Sequence, residues 1–115
     1  MTNKTHHILF EDFLKVEMRI GTVIEAKINP KANKPAYVLT IDFGPAGIKT
    51  SSAQITEHYT PEDLIGQQVV AVLNFASKLI AGVRSEVLVL GAMSDKQGVI
   101  LIRPTIPVPN GSSIG

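Results

Sequence analysis

Three short runs in the second half of the chain are apolar at every position: Val69-Val-Ala-Val-Leu73, Val87-Leu-Val-Leu90 and Val99-Ile-Leu-Ile102. An unbroken run of this kind reads as a β-strand whose two faces both seek cover. A closed barrel covers only its inner face. Outward side chains such as Val70 and Val72 then need another layer, each being worth roughly 1.5–3 kcal/mol when buried. An N-terminal helix can supply part of that layer. A second copy of the chain is the more economical source, because two-fold dimers are the commonest homo-oligomers. The expectation is a small, all-β, dimeric barrel.

The first half of the chain is patterned differently. From Arg19 to Ile28 apolar and polar residues alternate. Ile20, Thr22, Ile24, Ala26 and Ile28 are assigned to the core face, and Arg19, Gly21, Val23, Glu25 and Lys27 to the wet face. Gly21 on the wet face suggests a bulge or tight bend. Asn29-Pro-Lys-Ala-Asn-Lys-Pro35 is a loop, since two prolines cannot continue a ladder. Tyr37, Leu39, Ile41 and Phe43 alternate as a second half-buried strand. After a Gly44–Gly47 turn, residues 48–52 form a third strand, polar and therefore exposed. Phe10, Phe13 and Leu14 fall at helical spacing. Thr60-Pro-Glu-Asp63 opens a short helix that Gly66 ends. The segment 91–98 reads as a loop that pairs the second and third apolar runs as a hairpin. Beyond Arg103, three prolines give a stiff, extended tail whose Ile106 and Val108 can lie on the barrel or on a partner subunit.

At 115 residues the chain fits one domain. Residues 1–7 read as a polar tail and 8–115 as the folded unit. No apolar run approaches the ~18 residues of a membrane-spanning helix, and the first residues lack a signal-peptide pattern. The absence of cysteine excludes disulfides and thiolate metal sites, and a cytoplasmic location is the default expectation. Net charge is +1, but it is unevenly placed. Residues 26–50 carry Lys27, Lys31, Lys34 and Lys49 against Asp42 alone, whereas residues 51–75 carry Glu57, Glu62 and Asp63 and no cation. Such a distribution permits RNA binding without calling for it. His6, His7 and His58 do not form a ligand set. There is no Gly-x-Ser-x-Gly nucleophile, phosphate-cradling loop or dinucleotide motif. A binding protein is expected, with no catalytic residue, metal or cofactor.

The connection between the first two apolar runs stands out. Residues 74–86 mix amide, cation, hydroxyl, carboxylate and glycine in thirteen positions, and long connections in compact domains often carry function. Asn74-Phe-x-x-Lys-Leu-x-x-Gly-Val-x-Ser-Glu86 resembles the signature of the tRNA-binding domain related to the endothelial-monocyte-activating cytokine. That module also occurs on bacterial methionyl- and phenylalanyl-tRNA synthetases. Arg19-Ile-Gly-Thr-Val23 is similar to its first strand, and Val108-Pro-Asn-Gly-x-x-Ile-Gly115 to its closing stretch. The match covers residues 10–115. Phe10-Glu-Asp-Phe13, Asp42-Phe-Gly44, Ile48-Lys-x-Ser51-Ser-Ala-Gln-Ile55 and Ser85-Glu-Val-Leu-Val-Leu-Gly91 resemble the CsaA-type export-related chaperones, the stand-alone members of that family.

The resemblance implies a five-stranded OB-fold barrel with short helices and N- and C-terminal extensions. It also implies a homodimer, binding of unfolded or precursor polypeptides for export, and some capacity for tRNA. RNA-binding members carry Pro and a basic residue where this chain has Ala76 and Ser77, and Gly-Met where it has Val87-Leu88. Fewer cations neutralise fewer phosphates, and without Trp there is little for bases to stack on.

Two site assignments follow. For a polypeptide, Phe75, Leu79 and Ile80 line a groove while Lys78, Arg84 and Glu86 orient polar groups at its rim. The alternative for Phe75 and Leu79 is a plug in the barrel end. For a structure-selective tRNA binder, Lys49, Lys78 and Arg84 meet phosphates while Ser52, Asn74 and Ser85 hydrogen-bond bases or riboses. A module that simply holds other proteins together is the third reading.

Overall fold

A computed structural model of the protein describes residues 6–115. Most of the expected N-terminal tail, residues 1–5, lies outside the described residues. A single turn of helix, α1 (Phe10–Leu14), precedes β1 (Met18–Ile28), β2 (Tyr37–Asp42) and β3 (Ile48–Ala53). The helical turn α2 (Pro61–Leu64) leads into β4 (Gln68–Val72). A hairpin of β5 (Lys78–Ile80) and β6 (Val83–Ser85) follows, then β7 (Leu88–Val89) and a second hairpin of β8 (Gly91–Ser94) and β9 (Gly98–Leu101).

Five antiparallel strands form one sheet in the order β3-β2-β1-β4-β7. It curls until its ends meet. Glu86 N donates to Thr50 O at 2.8 Å, and Ser52 N donates to Ser85 Oγ at 3.0 Å, so β3 is joined to the chain that leads into β7. The barrel is nearly closed, and Val23, Leu39, Ile41, Phe43, Leu64, Val69 and Ala71 fill it without exposure. The second strand delivers its alternating residues as expected.

The expected faces of β1 are corrected. Its pairing with β2 shifts register between Val23 and Glu25, leaving Ile24 as an extra residue. Ahead of this bulge Gly21 and Val23 point into the core, and beyond it Ala26 does. Ile24 and Ile28 are exposed. Gly21 is an inward position: a Cβ there would lie 2.6 Å from both Ile41 Cγ2 and Phe43 Cδ1. Its missing side chain is the space that Phe43 occupies.

Three further expectations change. Ile48–Ala53 is a strand, but Ser51 is buried in it. Segment 91–98 is not a loop, since Gly91–Ser94 pairs with β9 around a tight turn and Val89 and Leu88 pair instead with Ala71 and Val72 of β4. Ile20 and Val70 are 3% and 6% exposed in the single chain, so their cover comes largely from the chain itself, whose later segments run alongside them. Val70 N donates to Ile102 O at 3.2 Å and Leu90 N to Val70 O at 2.9 Å. Residues 111–114 clasp β1, with Gly111 N on Ile20 O at 2.7 Å and Ile20 N on Ser112 O at 2.9 Å. The α2 turn is as the sequence predicts: Thr60 Oγ1 accepts from Asp63 N, and Asp63 Oδ2 accepts from Thr60 N.

Candidate polymer-binding groove

The connection at residues 74–86 is a β-hairpin standing on the barrel wall, not an irregular loop. Its turn is Ala81-Gly82, and both residues have positive φ, 47° and 82°. Two-residue hairpin turns need that left-handed backbone, which is why glycine stands second in the turn, directly before β6. Ala81 adopts the same conformation at a cost of roughly 1–2 kcal/mol. Its carbonyl accepts from Asn29 Nδ2 at 3.4 Å, and Asn29 Oδ1 accepts from Lys31 N at 3.1 Å. The 29–35 loop and the hairpin tip are thereby tied together, with the Lys31 side chain lying across Gly82.

A trough runs beneath the hairpin. Its first part, about 510 Å³, is lined chiefly by Phe75, Lys78, Ile80, Ser85 and Leu88, with Ser52 at its floor. A second part of about 410 Å³ holds Lys31, Lys34 and Gln54. The two share Ser52 and Ile80, so they form one continuous surface. Phe75 is 59% exposed and Leu79 68% exposed. Neither plugs the barrel end.

Strand alternation sorts the expected site residues. Lys78, Ile80 and Ser85 face the trough, whereas Leu79 and Arg84 form a cross-strand pair on the opposite face of the hairpin. Lys49 sits on β3 with the parity of buried Ser51, away from Ser52 and the trough. Glu86 lines the trough but its carboxylate is held: Oε1 accepts from Thr50 N and from Thr50 Oγ1, both at 3.0 Å. Asn74 is committed elsewhere. Its Oδ1 accepts from Glu17 N at 2.9 Å and its Nδ2 donates to Lys15 O at 2.7 Å, fastening the end of α1 to the end of β4. Ser52 and Ser85 are joined to each other.

The cations are freer. Ion pairs among the described residues are Lys15–Asp12, Arg19–Glu17 and Lys27–Glu25. Among the described residues Lys31, Lys34, Lys78 and Arg84 have no carboxylate within ion-pairing distance, and Arg84 Nη1 donates to Ser77 Oγ at 3.1 Å. The trough is thus apolar in the middle and positive at its borders. Lys31, Lys34, Gln54 and Leu88 were not singled out from the sequence as site residues. The lysine-rich count of residues 26–50 was the available signal for the first two. No group of potential metal ligands converges among the described residues.

A family model described as "Putative tRNA binding domain" matches residues 18–113. The chain belongs to this family. It is similar to the crystal structure of chaperone CsaA from Bacillus anthracis, at 53% identity and a TM-score of 0.91, over 96% of this chain and all of that one. It is also similar to the CsaA chaperone protein of Picrophilus torridus, at 44% identity and a TM-score of 0.88, over 95% of this chain and all of that one. Among curated relatives, the methionine–tRNA ligase of Flavobacterium johnsoniae is 36% identical over 107 residues, 93% of this chain. The chain spans only 15% of that enzyme's length. Family membership and these neighbours bear out the OB-fold barrel.

Proposed function

We propose that the protein is a homodimeric, chaperone-like binder of unfolded or precursor polypeptides bound for export. The observation that carries this reading is the trough itself. Phe75, Ile80 and Leu88 stay exposed on a rigid barrel wall where a soluble fold gains nothing from them, and contiguous apolar surface marks a contact site. The full-length likeness to CsaA chaperone structures supports the same conclusion. The reading sets the protein's work in the cytoplasm. Its test is aggregation of a chemically denatured client on dilution. Suppression at one dimer per client is expected, and none at equimolar dimer would defeat the reading.

The dimer is supported by a second apolar area. Phe10 and Leu14 of α1 are 72% and 63% exposed, and a groove of about 440 Å³ opens between Met18, Ile20, Leu90, Ile102 and Ile114. Light scattering at micromolar concentration should give twice the 12.4 kDa chain mass.

Binding of tRNA is the second reading, favoured by the unpaired Lys31, Lys34, Lys78 and Arg84 and by the family. Gel shifts with bulk tRNA at two salt concentrations decide it. Micromolar binding that collapses with salt supports it, and no shift at low salt removes it.

A further inference from the structure

The β5–β6 hairpin leaves one strand edge without a partner. Because its turn has two residues, Ile80 and Val83 flank that turn as a pair exchanging both backbone hydrogen bonds. Bonded and non-bonded pairs alternate along an antiparallel ladder, so Leu79 and Arg84 form a non-bonded pair. The N–H and C=O of Leu79 therefore point away from β6. On its other side β6 packs against β3, so β5 is the outermost strand of this wall. Among the described residues no backbone group outside β6 bonds to residues 78–80, and all three are exposed.

An apolar edge of this kind is a template for another strand. We propose that β5 takes an extended polypeptide segment as an added strand, with Leu79 exchanging its two backbone hydrogen bonds with the newcomer. The proposal rests on the polypeptide reading above and specifies how that polypeptide is held. Charge selects the occupant. Among the described residues Lys78 on one face of the edge and Arg84, cross-strand from Leu79 on the other, have no carboxylate partner. An incoming strand with a carboxylate on either face meets a cation, and one with ammonium groups meets like charge. A second copy of β5 paired through Leu79 would set each Lys78 opposite the copy's Ile80 and bring no carboxylate to either cation, so it is disfavoured. RNA offers no N–H and C=O groups at the two-residue repeat of a strand.

The test is fluorescence anisotropy on the full chain with a labelled peptide of alternating Leu and Glu, its Leu and Lys counterpart, and N-methylated versions of the first. The acidic peptide should bind and the basic one should not. N-methylation should weaken binding about tenfold at the position facing Leu79, and hardly at its two neighbours, whose N–H groups point to solvent. The Leu79→Pro variant removes the edge N–H without taking a bond from the hairpin and should show the same loss with an unchanged melting curve. Binding of the acidic peptide that tolerates methylation everywhere overturns strand addition while the polypeptide reading stands. Equal binding of the basic peptide also overturns it. Failure of every peptide, with tRNA still bound, overturns both.

Discussion

Glu86 belongs to the signature stretch of the hairpin, yet its carboxylate faces inward to Thr50. One oxygen accepts from both the N–H and the hydroxyl of that residue, at 3.0 Å each, while the Glu86 N–H reaches the Thr50 carbonyl at 2.8 Å. These contacts close the barrel between β3 and the segment entering β7. Replacing Glu86 by Ala keeps the backbone bond but deletes the two side-chain bonds and leaves a part-buried N–H unpaired. At roughly 1–1.5 kcal/mol per bond the loss is about 2–3 kcal/mol. A domain of 115 residues shifts by about 4 °C per kcal/mol, so the melting temperature should fall by about 8–12 °C. Glu86→Gln retains an acceptor at the same place and should lose less than half as much. Thermal unfolding followed by circular dichroism measures both, and anisotropy at a temperature where both variants are folded measures peptide affinity, which should be unchanged. An unshifted melting curve with peptide binding abolished would refute the latch and return Glu86 to the binding surface.

Gly21→Ala should destabilise the fold by about 1–3 kcal/mol in urea unfolding, since the added Cβ meets Ile41 and Phe43 at 2.6 Å inside a filled core. Asn74→Ala releases the backbone of Glu17 and Lys15, and amide exchange in α1 should speed up while the barrel strands keep their protection. The double variant Lys31→Glu, Lys34→Glu should leave the melting temperature unchanged and weaken any tRNA binding, with a shallower salt dependence in gel shifts. The Asp63 carboxyl is held below its usual 3.8 by hydrogen bonds from the Thr60 backbone and hydroxyl, with His58 adding a favourable charge. A depressed carboxylate contributes stability above its unfolded value that is lost as pH falls through the folded one. The α2 cap should therefore persist to below pH 3.8, and an NMR titration midpoint at or above that value would contradict it.

The sequence made the strands legible because apolar residues at every second position have one sensible use. It misled at Ile24, where hydrophobicity suggested core and the bulge turned the residue outward. The helix start at Thr60 was readable because its caps are local. Pairing was not: residues 91–94, Gly-Ala-Met-Ser, hold no β-branched or aromatic side chain to announce a strand, and their partner β9 is chosen by a turn at residues 95–97. Within the site, Phe75 and Lys78 could be identified from the hairpin's composition. That Asn74 and Glu86 serve the scaffold depends on Glu17 and Thr50, each more than thirty positions distant. Likewise, Lys31 and Lys34 reach the trough only because Asn29 anchors their loop to Ala81.

The extra residue in β1 makes that strand behave like a message with a frame. Positions 21 and 23 are read in one phase and position 26 in the other, so the same barrel interior is addressed by odd numbers first and even numbers afterwards. Deleting Ile24 would yield a tidier alternation on paper. In the molecule it would leave the strand either without its corner or with Ala26 turned out and Lys27 turned in. An insertion or deletion here is therefore a larger injury than most substitutions in the core.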